Sequence, residues 1–168
     1  MSINELNVAL QGGARGNRFR LEFALPSGVS GKIKNLNILT KSTTIPGIDN
    51  GTIEYKYMGQ TARMSGDRVV APTWTPTLRL PSNAKEVLEA FYQWEEKASP
   101  RDGSIANPSD YQVDIIARQL GINNEVMFSW KLKRAYCSNV PEISFDAESG
   151  DAIMEFAPTI TIDDIERI

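Results

Sequence analysis

Residues 41–66 read KSTTIPGIDNGTIEYKYMGQTARMSG, and few of these positions suit a core. Within the stretch, Ile53, Tyr55 and Tyr57 alternate with Thr52, Glu54 and Lys56, the period-two pattern of a strand. Its flanks are turn formers: Pro46-Gly47 and Asp49-Asn50-Gly51 before it, Gly59 and the polar run Gln60 to Ser65 after it. The stretch therefore reads as an extended hairpin or a long loop. At ~3.3 Å per residue, about ten residues each way reach ~30 Å, farther than a lone hairpin stabilises itself in water. Either a neighbouring molecule supplies the missing partner, or the hairpin lies flat on its own domain. Both readings stand at this point.

The surroundings are mostly strands. Phe19, Leu21, Phe23 and Leu25 alternate with Arg18, Arg20 and Glu22 until Pro26 and Gly28 stop the run. The run from Ile33 to Leu39, with Leu36 and Ile38 on one face, is expected as its antiparallel partner. Trp74 to Leu80 predicts another strand, with Trp74, Leu78 and Leu80 on its dry side and Pro76 marking an edge or bulge. The period then changes. Asn83 is placed to cap a helix with Glu86 three residues on, and Val87, Leu88, Phe91 and Trp94 recur at helical spacing until Ser99-Pro100. This predicts a helix over 83–98 whose apolar stripe packs on a sheet.

After a loop from Arg101 to Asp110, Tyr111 to Leu120 and Glu125 to Tyr136 read as two strands around residues 121–124, where Asn123 and Asn124 suit positive backbone angles. Val126, Phe128, Trp130 and Leu132 are expected on the dry face of the second. Ile143 to Phe145 and Ala152 to Ile162 predict a closing hairpin around 146–151, with Met154, Phe156, Ile160 and Ile162 on one face. Residues 163–168 read as a short charged tail, and residues 1–17, with Gly12, Gly13 and Gly16, as a flexible arm. The sum is one domain over 1–168: mainly β, an antiparallel sandwich or barrel with one helix and a long protruding hairpin.

Composition narrows the chemistry. The 168 residues are 41% hydrophobic and 23% charged, with a mean hydropathy of -0.30 and no apolar run near the ~18 residues of a spanning helix. No signal-peptide core opens the chain, and the lone Cys137 allows no intrachain disulfide, which fits a reducing compartment. Zero histidines remove the commonest general base and metal ligand. Metal and nucleotide sites lack their spacings, the carboxylate pairs Asp163-Asp164 and Glu95-Glu96 are adjacent and do not face each other, and Cys137 reads as a buried filler. No catalytic residue, cofactor or metal is expected. Aromatics at 53–57 and 126–130 beside Lys56, Lys131 and Lys133 faintly resemble a single-strand nucleic-acid platform, but the alternation assigns most of them to packing. Net charge is -3, unevenly spread: nine Lys/Arg against five Asp/Glu in 1–70, eight against eight in 71–140, one against eight in 141–168. That asymmetry is either a solvated accident or a pair of complementary surfaces for head-to-tail contact.

The order of landmarks is specific: Lys41-Ser42-Thr43-Thr44-Ile45-Pro46-Gly47, a polar hairpin, Gly66-Asp67-Arg68, Trp74, then a helix carrying Phe91 and Trp94. It continues through Asn107-Pro108-Ser109-Asp110-Tyr111, Tyr136-Cys137-Ser138-Asn139-Val140-Pro141 and residues 146–162. From about Phe19 to Ile162 this resembles the tail tube proteins of contractile-tailed bacteriophages, and it is similar to the inner tubes of type VI secretion and related injection machines. The resemblance implies a barrel-like subunit in hexameric rings stacked head to tail into a hollow tube within a contractile sheath. It implies that residues 43–65 reach the adjacent ring, with Ile45, Pro46, Ile48, Tyr55, Tyr57 and Met58 as inter-ring contacts. Ile45→Asp or Tyr57→Asp is then expected to abolish stacking and leave the barrel folded.

The partners so implied are further copies of the chain, the sheath, baseplate and terminator proteins, and phage DNA passing through the lumen without sequence-specific binding. The place implied is the virion tail, assembled in the bacterial cytoplasm. An inner-tube protein of a secretion or injection system and a tube-fold baseplate or terminator protein are the alternatives. A ligand-binding barrel is a further alternative of another class, and it predicts an internal cavity.

Overall fold

A computed structural model describes residues 3, 4, 10, 13–29, 36–143 and 152–168. Most of the expected arm at 1–17, the start of the 33–39 run and the turn at 146–151 lie outside the described residues. Among the described residues the strands are β1 (Phe19–Glu22), β2 (Thr40–Ser42), β3 (Ile48–Tyr57), β4 (Gln60–Val70), β5 (Thr73–Trp74), β6 (Thr77–Arg79), β7 (Val113–Leu120), β8 (Val126–Asn139), β9 (Glu155–Phe156), β10 (Thr159–Thr161) and β11 (Asp164–Arg167). The described helices are α1 (Leu36–Leu39), α2 (Ala84–Ala98) and α3 (Pro108–Tyr111). All the pairings are antiparallel.

The large sheet runs β1-β7-β8-β10-β5, with β11 also on β8. A small sheet, β2-β6-β9, and the separate ribbon β3-β4 complete the set. Alternation in β1 puts Leu21 into the core, but its partner is β7, Leu21 opposite Ala117, and not the 33–39 run. That expectation is corrected: Leu36–Leu39 is a helical turn, fixed where the Thr40 hydroxyl donates to the Leu36 carbonyl at 2.8 Å and Leu36 is buried.

In α2, Val87, Ala90, Phe91 and Trp94 form one buried face, the i, i+3, i+4, i+7 stripe that an amphipathic helix lays on a sheet. Phe91 meets Phe156 with ring centroids 5.3 Å apart, and the Trp94 indole N–H donates to the Tyr111 carbonyl at 2.8 Å. The expected Asn83 side-chain cap is not made. Asn83 has φ -95° and ψ 45°, away from the extended backbone that points a capping oxygen at the first amides, and only its carbonyl accepts from the Glu86 amide. Asn107 does cap α3, accepting from the Ser109 amide at 3.4 Å. Pro76 splits the strand expected over 74–80 into β5 and β6, and Trp74, Leu78 and Leu80 are buried as expected.

Bulges correct two further expectations. Arg134 adopts φ +52° and its amide donates to Asp114 Oδ1 at 3.0 Å, adding one residue to β8 between the Leu132–Ile115 and Ala135–Val113 pairs. Leu132, Ala135 and Cys137 therefore share the core face, whereas Val126 and Phe128, expected dry, are exposed. Met154 is exposed too, leaving Phe156, Ile160 and Ile162 in the core. The charged tail is in fact β11, which buries Ile165 and pairs with 130–133 of β8.

The wet face of the large sheet carries Arg20, Arg118, Lys131 and Lys133 beside Glu22, Asp114, Asp164 and Glu166, and three of the four cations are ion-paired there. Arg118 meets Glu22 at 3.1 Å, Lys131 meets Asp114 at 2.9 Å and Lys133 meets Glu166 at 2.8 Å. Among the described carboxylates of 141–168, Glu155, Asp163, Asp164 and Glu166 are each ion-paired within the subunit. Hydrogen bonds from the Lys131 ammonium and the Arg134 amide hold the Asp114 carboxyl below its ordinary value. A depressed carboxyl stabilises the fold above its unfolded pKa and stops doing so as the pH falls through its folded one. Asp114→Asn is expected to cost about 0.5 kcal/mol at neutral pH, as for other exposed pairs, and nothing at a pH acid enough to protonate the wild-type carboxyl. Urea unfolding at the two pH values reads the difference.

Candidate assembly interface

The β3-β4 ribbon is the feature the core does not explain. Its strands are 10 and 11 residues long, every β3 residue is exposed, and only scattered β4 residues are partly covered. Its root is fixed. The Ala71 amide donates to the Gly47 carbonyl at 3.1 Å, and Arg68 donates to the Ile165 carbonyl at 2.7 Å and meets Asp164 at 3.2 Å. Just before the root, the Thr43 hydroxyl accepts from the Trp74 indole at 2.8 Å.

Register decides what the ribbon shows. Ile53 pairs with Met64, Tyr55 with Ala62 and Tyr57 with Gln60, so one face is almost wholly apolar. Thr52-Ser65, Glu54-Arg63 and Lys56-Thr61 make the other face polar, with Glu54 and Arg63 ion-paired at 2.5 Å. A bulge lies where Gly66-Asp67 oppose Gly51, and a Cβ on Gly66 would sit 3.0 Å from the Gly51 backbone, so the strands cross here only without side chains. The turn is Met58-Gly59, with φ +45° and +78°, the two positive angles of a type I′ hairpin turn.

The residues expected from the sequence as contacts separate into two groups. Ile48, Tyr55, Tyr57 and Met58 are exposed, Tyr57 at 70% and Met58 at 86%. Ile45 and Pro46 are half-buried, and Ile45 packs against the core of its own subunit, so an aspartate there strikes the fold as well as any contact. Ile53 and Met64 belong to the same apolar face but went unselected. Ile53 was visible in the alternation, whereas Met64 needed the register that the glycine bulge resets. The hairpin occupies 48–70, later than the 41–66 expected, because Thr40–Ser42 joins the small sheet.

Beside the root lies an apolar pocket of about 230 Å³ lined by Phe19, Leu21, Ile45, Ala117 and Trp130, with Arg18 and Gln119 also contributing. Arg18 is held there by the β7-β8 turn, donating to the Ile122 carbonyl at 2.6 Å. Among the described residues no group of three metal-ligating side chains converges, and no helix is long and apolar enough to cross a membrane. Cys137 is buried, and desolvation pushes its thiol up to about 12. It is expected to ignore thiol reagents at about pH 8 in the native protein and to react on unfolding. A timed thiol assay with and without denaturant checks this.

No family model matches the chain. Tail tube protein gp19 of Enterobacteria phage T4 is 25% identical, covering 97% of this chain and 98% of the relative. The tail tube protein of Serratia phage KSP90 is 22% identical, covering 92% and 90%. Among solved structures, the tube-terminating cap of the anti-feeding prophage superposes with a TM-score of 0.70 at 22% identity, covering 100% of this chain and 99% of that one. The sheath-tube complex of an extracellular contractile injection system in its extended state gives a TM-score of 0.65 at 18% identity, covering 100% and 98%. Over nearly its whole length the chain is similar to these phage tail tube proteins, and it shares the fold of the tube and cap neighbours.

Proposed function

We propose that this chain is the repeating subunit of a phage tail tube, its hexameric rings stacked head to tail into a hollow conduit that delivers DNA when a surrounding sheath contracts. The observation that carries the reading is the free-standing ribbon. A two-stranded hairpin is marginal in water, and this one displays Ile53, Tyr55, Tyr57 and Met64 on a single exposed face. Such a face is explained by a second molecule that covers it. Root and tip differ, so the contact is heterologous and propagates as an open stack. The inter-ring residues are Ile48, Tyr55, Tyr57 and Met58, with Ile45 and Pro46 setting the root.

Sheath, baseplate and terminator proteins are the further partners, consistent with the assemblies in which the structural neighbours were solved. DNA passes without sequence-specific binding, and assembly takes place in the host cytoplasm before the tube becomes part of the virion. A tube-terminating cap is the second reading, favoured by the superposition on the anti-feeding prophage cap. The chain expressed alone, fractionated by size and viewed by negative-stain electron microscopy, separates them. Hollow six-fold tubes of indefinite length support the repeating subunit, single rings support the cap, and a monomer at every concentration defeats both.

A further inference from the structure

We propose that the hairpin turn of one copy, Tyr57-Met58, seats in the apolar pocket beside the hairpin root of a copy in the next ring. This rests on the tube reading above and names the receiving surface, which that reading leaves open.

Three observations meet here. The first is fit: the pocket, about 230 Å³, has an apolar wall of Phe19, Leu21, Ile45, Ala117 and Trp130, and a polar rim of Arg18, Thr43, Arg118 and Gln119 that leaves room for a phenol hydroxyl. A cavity of ~150 Å³ admits benzene, so there is room for a phenol ring or a thioether. Methionine suits an irregular aromatic-lined space, because its unbranched chain adapts and its sulfur gains from contact with rings.

The second is backbone strain. Met58 holds a left-handed backbone, φ +45°, where type I′ turns favour asparagine, aspartate or glycine, and it does so at 86% exposure. Among the described residues nothing in its own subunit covers a large apolar side chain there, and a residue kept in an uncommon conformation at that exposure points to a use outside the subunit.

The third is placement. Ile45 is both a pocket wall and the approach to the root at Gly47, so the tip of one copy and the root of the next are joined by a single repeated operation. A hydrophobic knob that fits a pocket elsewhere on the same molecule generates an open assembly, not a closed pair. The ten-residue span of β3 then sets a spacing between successive roots of ~33 Å at 3.3 Å per residue.

The test is a crosslink between Met58→Cys and Gln119→Cys, Gln119 lying at the pocket and half-buried. The native Cys137 is buried, so the wild-type background is silent. Tubes verified by electron microscopy are oxidised mildly and run on a non-reducing gel. The double variant is expected to give a covalent ladder extending past the hexamer, and each single variant a monomer band. Tubes of normal appearance without a ladder, from this pair and from Tyr57→Cys with Gln119→Cys, overturn the proposed seat and leave the tube reading standing. A small apolar molecule retained in the pocket of assembled tubes, seen by native mass spectrometry, overturns it as well. Absence of tubes from the wild-type chain instead overturns the function on which the proposal rests.

Discussion

Tyr57→Asp is expected to yield a folded subunit that builds no tubes. Tyr57 is 70% exposed, next to the turn of a ribbon whose sheet contains no other strand, so the barrel loses nothing when it changes. Its thermal midpoint is expected within about 1 °C of wild type, the ordinary outcome for an exposed site. At a ring interface the same change removes about 2 kcal/mol of aromatic burial per hairpin and sets a charge in an apolar contact. In the proposed six-fold ring these losses act together, on the order of 12 kcal/mol, which lowers the stacking constant by roughly nine orders of magnitude. Sedimentation and electron microscopy read the result. Wild-type tubes from the variant would falsify the assignment of the hairpin as the joint.

Trp94→Ala has the opposite profile. Trp94 is fully buried on α2, touches the Phe91 ring at 6.1 Å and donates to the Tyr111 carbonyl at 2.8 Å. Truncation removes a large apolar side chain, leaves a cavity and strips that carbonyl of its donor, for a loss of about 3–5 kcal/mol. In a domain of this size each kcal/mol lowers the midpoint by about 2–4 °C, so a fall of about 6–20 °C is expected by calorimetry. Assembly at low temperature should survive, because the ribbon is anchored at Gly47 and Arg68, away from the helix. A fall of less than about 3 °C contradicts the core described here.

The two variants also mark what the sequence made legible. The period of 3.6 in Val87, Phe91 and Trp94 and the period of two in Ile53, Tyr55 and Tyr57 are local signals, and each produced the expected element. What failed was pairing and exposure. Leu36 and Ile38 satisfy a strand alternation, yet a local hydroxyl-to-carbonyl bond closes a helical turn there and β1 finds β7 about a hundred residues away. Ile165 sits among charges and read as tail, because burial of one isoleucine on a sheet edge leaves no periodicity to detect. The inserted residue at Arg134 carries the dry face of β8 on from Trp130 and Leu132 to Ala135 and Cys137, a switch of parity that alternation cannot show, whereas Val126 and Phe128 lie at the far end of the strand, by a second irregularity, and are exposed. Of the expected contacts, Ile48, Tyr55, Tyr57 and Met58 are free to meet a partner, while Ile45 is engaged at home.

The near balance of charge across the wet face of the large sheet, with Arg118, Lys131 and Lys133 each ion-paired, has a long-range meaning. Opposite charges a few ångströms apart present dipoles to a distant observer, and their potential dies away faster than that of the same charges unmatched. At physiological ionic strength the remainder is screened within about 8 Å. Such a face stays hydrated and gathers little counterion atmosphere of its own, and Arg118, Lys131 and Lys133, already engaged by carboxylates, form few new phosphate contacts. Release of condensed ions is the main drive for a polyanion to cling to protein. Over this surface that drive is small.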